Sequence, residues 1–293
     1  APLSNWAQAI PGAGKIAEAT LGIASERTFP QFARRPFHKR VADHEPAVPA
    51  AEAERRAIYL PDIYTNYLHP EVGEAAVTLL EAAGVHVDIA DPLDVGRPAY
   101  SKGLLDRSRD RAKTAVETFA PAVREGWDVV LAEPSDAVMV QNDFLDLLAG
   151  EDVERVAANT YGVCEYLDRF DLDAAADFDA PDRSLAYHGH CHQKATAKDH
   201  HAVGVLRRAG YTVDALDSTC CGMAGSFGYE AEHYSMSRSI AGLLADQIDA
   251  SEAETVVAPG TSCRSQLEDL DIAEPPTPIE ALAAALPNRA DSI

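Results

Sequence analysis

An α/β fold of two duplicated lobes with mainly parallel sheets, related by a pseudo-twofold axis and preceded by a partly helical arm, is predicted by three features of this 293-residue sequence. Short apolar runs alternate with helical stretches: "AIYLP", a helix over 71–83, "VHVDIA" with strict alternation, a helix over 104–124, then "WDVVLAEP". That order suits parallel strands joined by crossover helices. The same order returns after Asp182 as "SLAYHGHC", a helix over 199–209, "YTVDALD", a helix over 232–248 and "TVVAPGTSC". The two runs also align at nearly constant separation. "AIYLPD" (57–62) falls on "AYHGHC" (186–191), "DPLDVGRPAYSKG" (91–103) on "DSTCCGMAGSFGY" (217–229), and "VVLAEPSD" (129–136) on "VVAPGTSC" (256–263). Such an internal repeat means one supersecondary unit used twice.

The repeat divides the chain into an arm and linker (1–56), a first lobe (57–150), a bridging helix and linker (151–182) and a second lobe (183–293). In the arm, a helical stretch around 14–22 gives way to Pro and Arg punctuation. Its "GAGK" is not a phosphate loop, because Ile16 stands where Ser or Thr must hold magnesium. Lys and Arg total 25 against 47 Asp and Glu, a net charge of -22 that repels nucleic acid and anionic lipid. Spread among well-formed apolar segments, the acidic excess suggests a surface adapted to high salt. No stretch approaches the ~18 apolar residues of a membrane span, and no secretory signal is evident. A cytoplasmic protein is expected, at most peripheral at the membrane's cytoplasmic face through partners, with thiols reduced or metal-bound.

Four of the five cysteines, Cys191, Cys220, Cys221 and Cys263, lie where predicted strands of the second lobe end. Carboxyl ends of strands form the ligand crevice of open α/β sheets. Three sequence-distant loops thereby bring four thiols to one place, a donor set that suits tetrahedral zinc or an iron–sulfur cluster. In the repeat alignment the first lobe carries Asp62, Asp94, Val95 and Asp136 at these positions. Carboxylates are poor ligands for an iron–sulfur cluster, so these aspartates are expected to be hydrogen-bonded loop residues; a hard cation such as magnesium is the other reading. Gly222, after the cysteine pair, is expected to take positive φ or to let the backbone approach the ligand closely.

The stretches "DIYTNYLHPEVGEAAVTLLEAAG", "HGHCHQKA", "CCGMAGSFGYEAEHY" and "APGTSCRSQ" resemble the cysteine-rich "CCG" domain family. The chain is most similar to the C-terminal iron–sulfur portion of FAD-linked oxidases of D-lactate or D-2-hydroxyglutarate dehydrogenase and glycolate oxidase type. The resemblance implies an electron-transfer module with a cluster, of four-iron type, on Cys191, Cys220, Cys221 and Cys263. It would carry electrons from a flavin that oxidises a 2-hydroxy acid toward a quinone or other carrier, without itself acting on the hydroxy acid. FAD and a ferredoxin-like domain are expected on another region or a partner protein, since their motifs are absent here. The family's fullest pattern ends in Cys-x-x-Cys, whereas this chain has Gln266 in the last place, which favours four cysteines over a five-cysteine cluster. A zinc-holding structural or docking module and heterodisulfide-reductase-like thiol–disulfide chemistry are the alternatives.

Cys164 falls on a predicted helix and reads as core. His188, His190 and His192 alternate around Cys191, and an extended segment would set them on the opposite face from it, where one could hydrogen-bond a cluster sulfur or ligate zinc. His200 and His201 read as exposed helix-start residues, and Lys194 and Arg264 as potential-tuning or merely solvated cations. Glu133 and Asp136 read as degenerate ligand-loop positions facing Gly260 and Cys263 of the other copy.

Overall fold

A computed structural model describes residues 5–6, 12–272 and 275–287. Apolar alternation becomes parallel pairing in both lobes. Strands β1 (Arg55–Tyr59), β2 (Val85–Ile89), β3 (Asp128–Leu131) and β4 (Thr160–Gly162) form one sheet in the order β2-β1-β3-β4. Strands β5 (Ser184–Tyr187), β6 (Thr212–Ala215) and β7 (Thr255–Val257) form the second in the order β6-β5-β7. Every pairing between these seven strands is parallel. Crossovers run through helices Pro70–Ala82, Leu105–Arg124, His200–Arg208 and Tyr234–Ala250. Pro70–Ala82 shows why these segments are helical: Val72, Ala75, Ala76, Leu79 and Leu80 recur at helical spacing and are all buried. Among the described residues no helix is long and apolar enough to cross a membrane.

β4 corrects the expectation of a helical bridge over 151–182. Two helices, Glu151–Ala158 and Val163–Arg169, flank a buried three-residue strand that extends the first sheet. Three residues are too few to show alternation, and tertiary pairing alone makes the segment extended. The inner faces of both sheets share one apolar core, in which Tyr59 and Val87 of the first lobe and Tyr187 and Val257 of the second join helices such as Val163–Arg169. The lobes are thereby fixed against each other. Separate clusters, around Phe119 and around Leu244, cover the outer faces.

The duplication extends to single hydrogen bonds. Gly96 and Gly222 have φ of 93° and 90°. Gly96 N donates to Asp94 Oδ1 at 2.8 Å, and Gly222 N donates to Cys220 Sγ at 3.3 Å. Ser108 Oγ donates to Gly96 O at 3.1 Å, and Ser237 Oγ to Gly222 O at 2.6 Å. Asp94-Val95-Gly96 thus matches Cys220-Cys221-Gly222, with Val95 and Cys221 both buried. Asp136 and Cys263 match as well, each third in a helix, Pro134–Val138 and Thr261–Glu268.

The first match needs correcting by one residue. Tyr59 and Tyr187 end the central strands, accepting from Ala90 N and Leu216 N at 3.0 Å each, so Asp62 meets His190 rather than Cys191. Both cap the helix that follows: Asp62 Oδ1 accepts from Tyr64 N at 2.9 Å, and His190 Nδ1 from His192 N at 3.3 Å. The counterpart of Cys191 is Ile63. Asp62, Glu133 and Asp136 are buried together at the first lobe's strand ends. Burial, then the Glu133 charge, pushes Asp62 up to about 6. Burial, then Asp62, Glu133 and Asp94, holds Asp136 well above the usual carboxylate range, with Arg97 opposing. Asp136 Oδ1 has no hydrogen-bond partner. Among the described residues no three of these carboxylates bring oxygens within 4.8 Å of one another, as a cation's ligands would.

The arm is a strap across the second lobe rather than a loose linker. Ala24 N donates to Tyr229 O and Ala231 N to Gly22 O, both at 2.8 Å, and Ile23 bridges Glu230. Buried Arg27 then donates Nε to Gly228 O (2.7 Å), Nη1 to Gln266 Oε1 (2.9 Å) and Asp269 Oδ2 (2.6 Å), and Nη2 to Ser237 Oγ (2.6 Å).

Two outcomes follow. Arg27→Met strands Asp269 and three polar partners in a dry site, and is expected to cost about 3–5 kcal/mol in chemical denaturation. The raised Asp136 pKa means that its ionisation opposes folding, a cost absent below the unfolded pKa of about 3.9 that grows as pH rises toward the folded value. Asp136→Asn should therefore stabilise by about 1–3 kcal/mol at pH 8, with the gain fading toward pH 4.

Candidate metal centre

Strand order puts the four thiols at one end of the second sheet. Cys191 opens helix Cys191–Ala195 after β5, Cys220 and Cys221 follow β6, and Cys263 lies in the first turn of Thr261–Glu268 after β7. Because β5 is central and its neighbours lie on either side, these loops surround the topological switch point, where open α/β sheets bind ligands. All five cysteines are free. The sulfurs contact one another in series, Cys191 with Cys220, Cys220 with Cys221 and Cys221 with Cys263. Hydrogen bonds from neighbouring thiols draw Cys220 and Cys263 below the ordinary thiol range. Cys191 and Cys221, which give those bonds, are pushed up by them and by burial. Soft donors that already share protons in this way suit a thiophilic ion or an iron–sulfur cluster, which would displace the protons.

Cys221 and Cys263 are 3% and 2% exposed, whereas Cys191 and Cys220 are partly open. Gly222 supplies the turn under the pair, and a Cβ there would lie 2.4 Å from Ser237 O. Its role is therefore conformational: positive φ and close packing on the Tyr234–Ala250 helix let its N–H face Cys220 Sγ.

The histidines do not stand opposite Cys191, because the helix beginning at that residue ends the alternation. His188 is completely buried, with a ring nitrogen and the sulfurs of Cys221 and Cys263 all within 4.8 Å of one another. Its Nδ1 pairs with Ser218 Oγ at 2.6 Å, and its side chain also hydrogen-bonds Cys263, adding to the pull of Cys221 that lowers that thiol. His190 packs over Gly260, where a Cβ would meet its ring at 2.4 Å. His192 is pushed down to about 4 by burial, then by His190 and Arg97, against the pull of Glu133 and Cys220, so it is neutral at pH 7. His200 is exposed, but His201 Nδ1 pairs with Asp168 Oδ2 at 2.6 Å.

Lys194 is not a free surface cation: Nζ donates to Ser218 O and approaches Leu216 O and Ser218 Oγ at 3.4 Å each, tying the first two ligand loops together. Arg264 is 3% exposed, which excludes a solvated role. Gln266 is fully buried and turned to Arg27. Cys164 sits in the shared core, its thiol pushed up to about 12 by burial. Glu133 reaches across the lobes, its Oε2 accepting from Thr261 N at 3.0 Å at the start of the helix that carries Cys263. Ser218 and Arg27 escaped the reading of the sequence. Arg27 and Gln266 are 239 residues apart, and no local pattern links them.

The model of the cysteine-rich (CCG) domain matches residues 185–268. One component of the anaerobic glycerol-3-phosphate dehydrogenase of Escherichia coli is 27% identical over 289 residues, 98% of this chain and 72% of that protein. D-2-hydroxyglutarate dehydrogenase of Escherichia coli is 26% identical over 236 residues, 80% of this chain but 23% of that protein. Lactate utilization protein A of an Exiguobacterium species is 29% identical over 211 residues, 68% of this chain and 83% of that protein. The similarity to the CCG cysteine-rich domain is thus carried by the second lobe.

Proposed function

We propose that Cys191, Cys220, Cys221 and Cys263 hold an iron–sulfur cluster of the four-iron type, and that the chain is the electron-transfer part of a flavin-linked dehydrogenase. Electrons would come from a flavin on another region or a partner protein and leave toward a quinone or similar carrier. The convergence of four free thiols from three strand ends carries this reading. When bound, such a cluster accepts and returns single electrons, at a potential set by burial, charge and hydrogen bonds to sulfur. The chain's own part is to place and tune: Gly222 N–H points at Cys220 Sγ, His188 hydrogen-bonds Cys263, and Glu133 anchors the Cys263 helix.

The names of the relatives add a second support. They refer to glycerol 3-phosphate, 2-hydroxyglutarate and lactate, yet each protein aligns with most of this chain. A portion common to three substrates is not the portion that selects among them. We assign the oxidation of a 2-hydroxy acid or a related alcohol to the flavin-bearing partner.

A zinc-holding structural module is the second reading, favoured by the buried His188, Cys221 and Cys263 atoms that lie within 4.8 Å of one another. Anaerobic purification separates the two. About four iron and four sulfide per chain, with a broad visible band bleached by dithionite, are expected for the cluster; one zinc and no colour would overturn it. Among variants, Cys221→Ser should lose at least nine-tenths of the bound iron, whereas Cys164→Ser should keep it, since Cys164 lies in the core away from the other sulfurs. Equal loss in both variants would refute the ligand assignment.

A further inference from the structure

We propose that Lys194, Ser218 and His188 form a hydrogen-bonded relay that carries the influence of the Lys194 ammonium to the sulfur of Cys263, and that this relay raises the reduction potential of the metal centre. The proposal rests on the cluster reading above and adds no ligand to it.

The relay starts from the ligand. His188 leaves the end of β5 with its N donating to Val257 O at 2.9 Å, so the sheet holds its backbone, and its completely buried ring hydrogen-bonds Cys263. On the other side of the ring, Nδ1 meets Ser218 Oγ at 2.6 Å, and Ser218 is itself buried. A neutral imidazole that donates through one nitrogen accepts through the other. Nδ1 therefore takes the Ser218 hydroxyl proton, and the lone pairs of Oγ are left for a donor behind it. Lys194 Nζ stands there, 3.4 Å from Ser218 Oγ, while also donating to Ser218 O. Gly189 leaves the lysine stem its path, since a Cβ at that position would lie 2.7 Å from Lys194 Cε. Every donor then points the same way, from ammonium to hydroxyl to ring to sulfur. Bonds in such a chain polarise one another in a low dielectric.

The first lobe, which has no thiols at the matched positions, has none of the relay either. Leu60 N donates to Val130 O at 2.9 Å, the same bond that His188 makes to Val257, so Leu60 occupies the His188 position. The register set by Asp62 and His190 places Asn66 against Lys194, and that set by Asp94 and Cys220 places Pro92 against Ser218. An aliphatic side chain, a proline and an amide thus stand where the second lobe has a ring donor, a hydroxyl and a cation. By contrast, the Gly222 N–H that serves Cys220 has a counterpart in Gly96, so that bond belongs to the shared turn. Only the relay is particular to the lobe with the thiols. Reduction of the centre adds one electron and makes or breaks no bond, and the relay's protons stay on their atoms. Donors aimed at a ligand sulfur favour the added negative charge.

Potentiometric titration of the full chain, loaded anaerobically with iron and sulfide, tests the relay. His188→Leu is expected to lower the one-electron equilibrium constant about tenfold, or about 59 mV, and Lys194→Met about threefold. Ser218→Ala should lower it at least as far as Lys194→Met, and Ser218→Thr, which returns the hydroxyl, should return the potential. The deciding measurement is the double variant: in the Ser218→Ala background Lys194→Met should add no further shift, because the charge has lost its path. An equal Lys194→Met shift in both backgrounds would mean a charge acting through space, and would overturn the relay. So would an unchanged potential in Lys194→Met at full iron and sulfide content, with the cluster reading left standing. Should Ser218→Ala load poorly, His188→Leu serves as the second background with the same two outcomes. Zinc without iron in the wild-type chain would sink the cluster reading, and the relay with it.

Discussion

With its side chain sealed from solvent, Arg27 gives four hydrogen bonds to the turn after the cysteine pair, to the helix that carries Cys263 and to Ser237, and its guanidinium lies 5.0 Å from the Tyr234 ring. Ser237 passes the constraint on, since its hydroxyl bonds the carbonyl of Gly222. One planar cation therefore sets the separation of two segments that hold three of the four thiols. The planar, forked donor geometry suits Arg to the task, because a lysine could satisfy only part of that set. Position 266 illustrates the coupling. A thiol there would add a soft donor near Cys263, but Gln266 instead turns its oxygen to Arg27 and serves the scaffold.

The two lobes show how far a framework can be kept while its chemistry changes. The turn geometry, the serine that caps the turn and the hydrogen bond back to the first residue of the motif are the same in Asp94-Val95-Gly96 and Cys220-Cys221-Gly222. What differs is the donor atoms. Oxygen donors replace sulfur at two of the matched positions and an aliphatic side chain fills the Cys221 position, so the first lobe presents crowded carboxyls that retain protons. Proton retention is the ordinary response of buried, mutually repelling acids without a counter-ion.

Much of this was legible in the sequence, because strand and helix periods differ and because the chain says the same thing twice. The parallel lobes and the gathering of Cys191, Cys220, Cys221 and Cys263 both came from that repetition. Thr160–Gly162 was not legible, being too short to carry a period, and Asp62 was set against the wrong partner because the strand-end bonds of Tyr59 and Tyr187 and the caps of Asp62 and His190 fix the register. Arg27, Ser218 and the burial of His188 are long-range facts. Nothing in "SERTFP" announces a guanidinium that reaches across more than two hundred residues, and an alternating "HGHCH" suggests an extended segment until the helix that starts at Cys191 is seen.

The uneven exposure of the sulfurs has a further consequence. Cys221 and Cys263 face the protein interior, while Cys191 and Cys220 look outward beside neutral His192 and the first lobe's Glu133 and Arg97. A carrier exchanging electrons with a centre held there would meet the two outward sulfurs before the two buried ones, so the lip formed by Cys191 and Cys220 is the shorter path for charge.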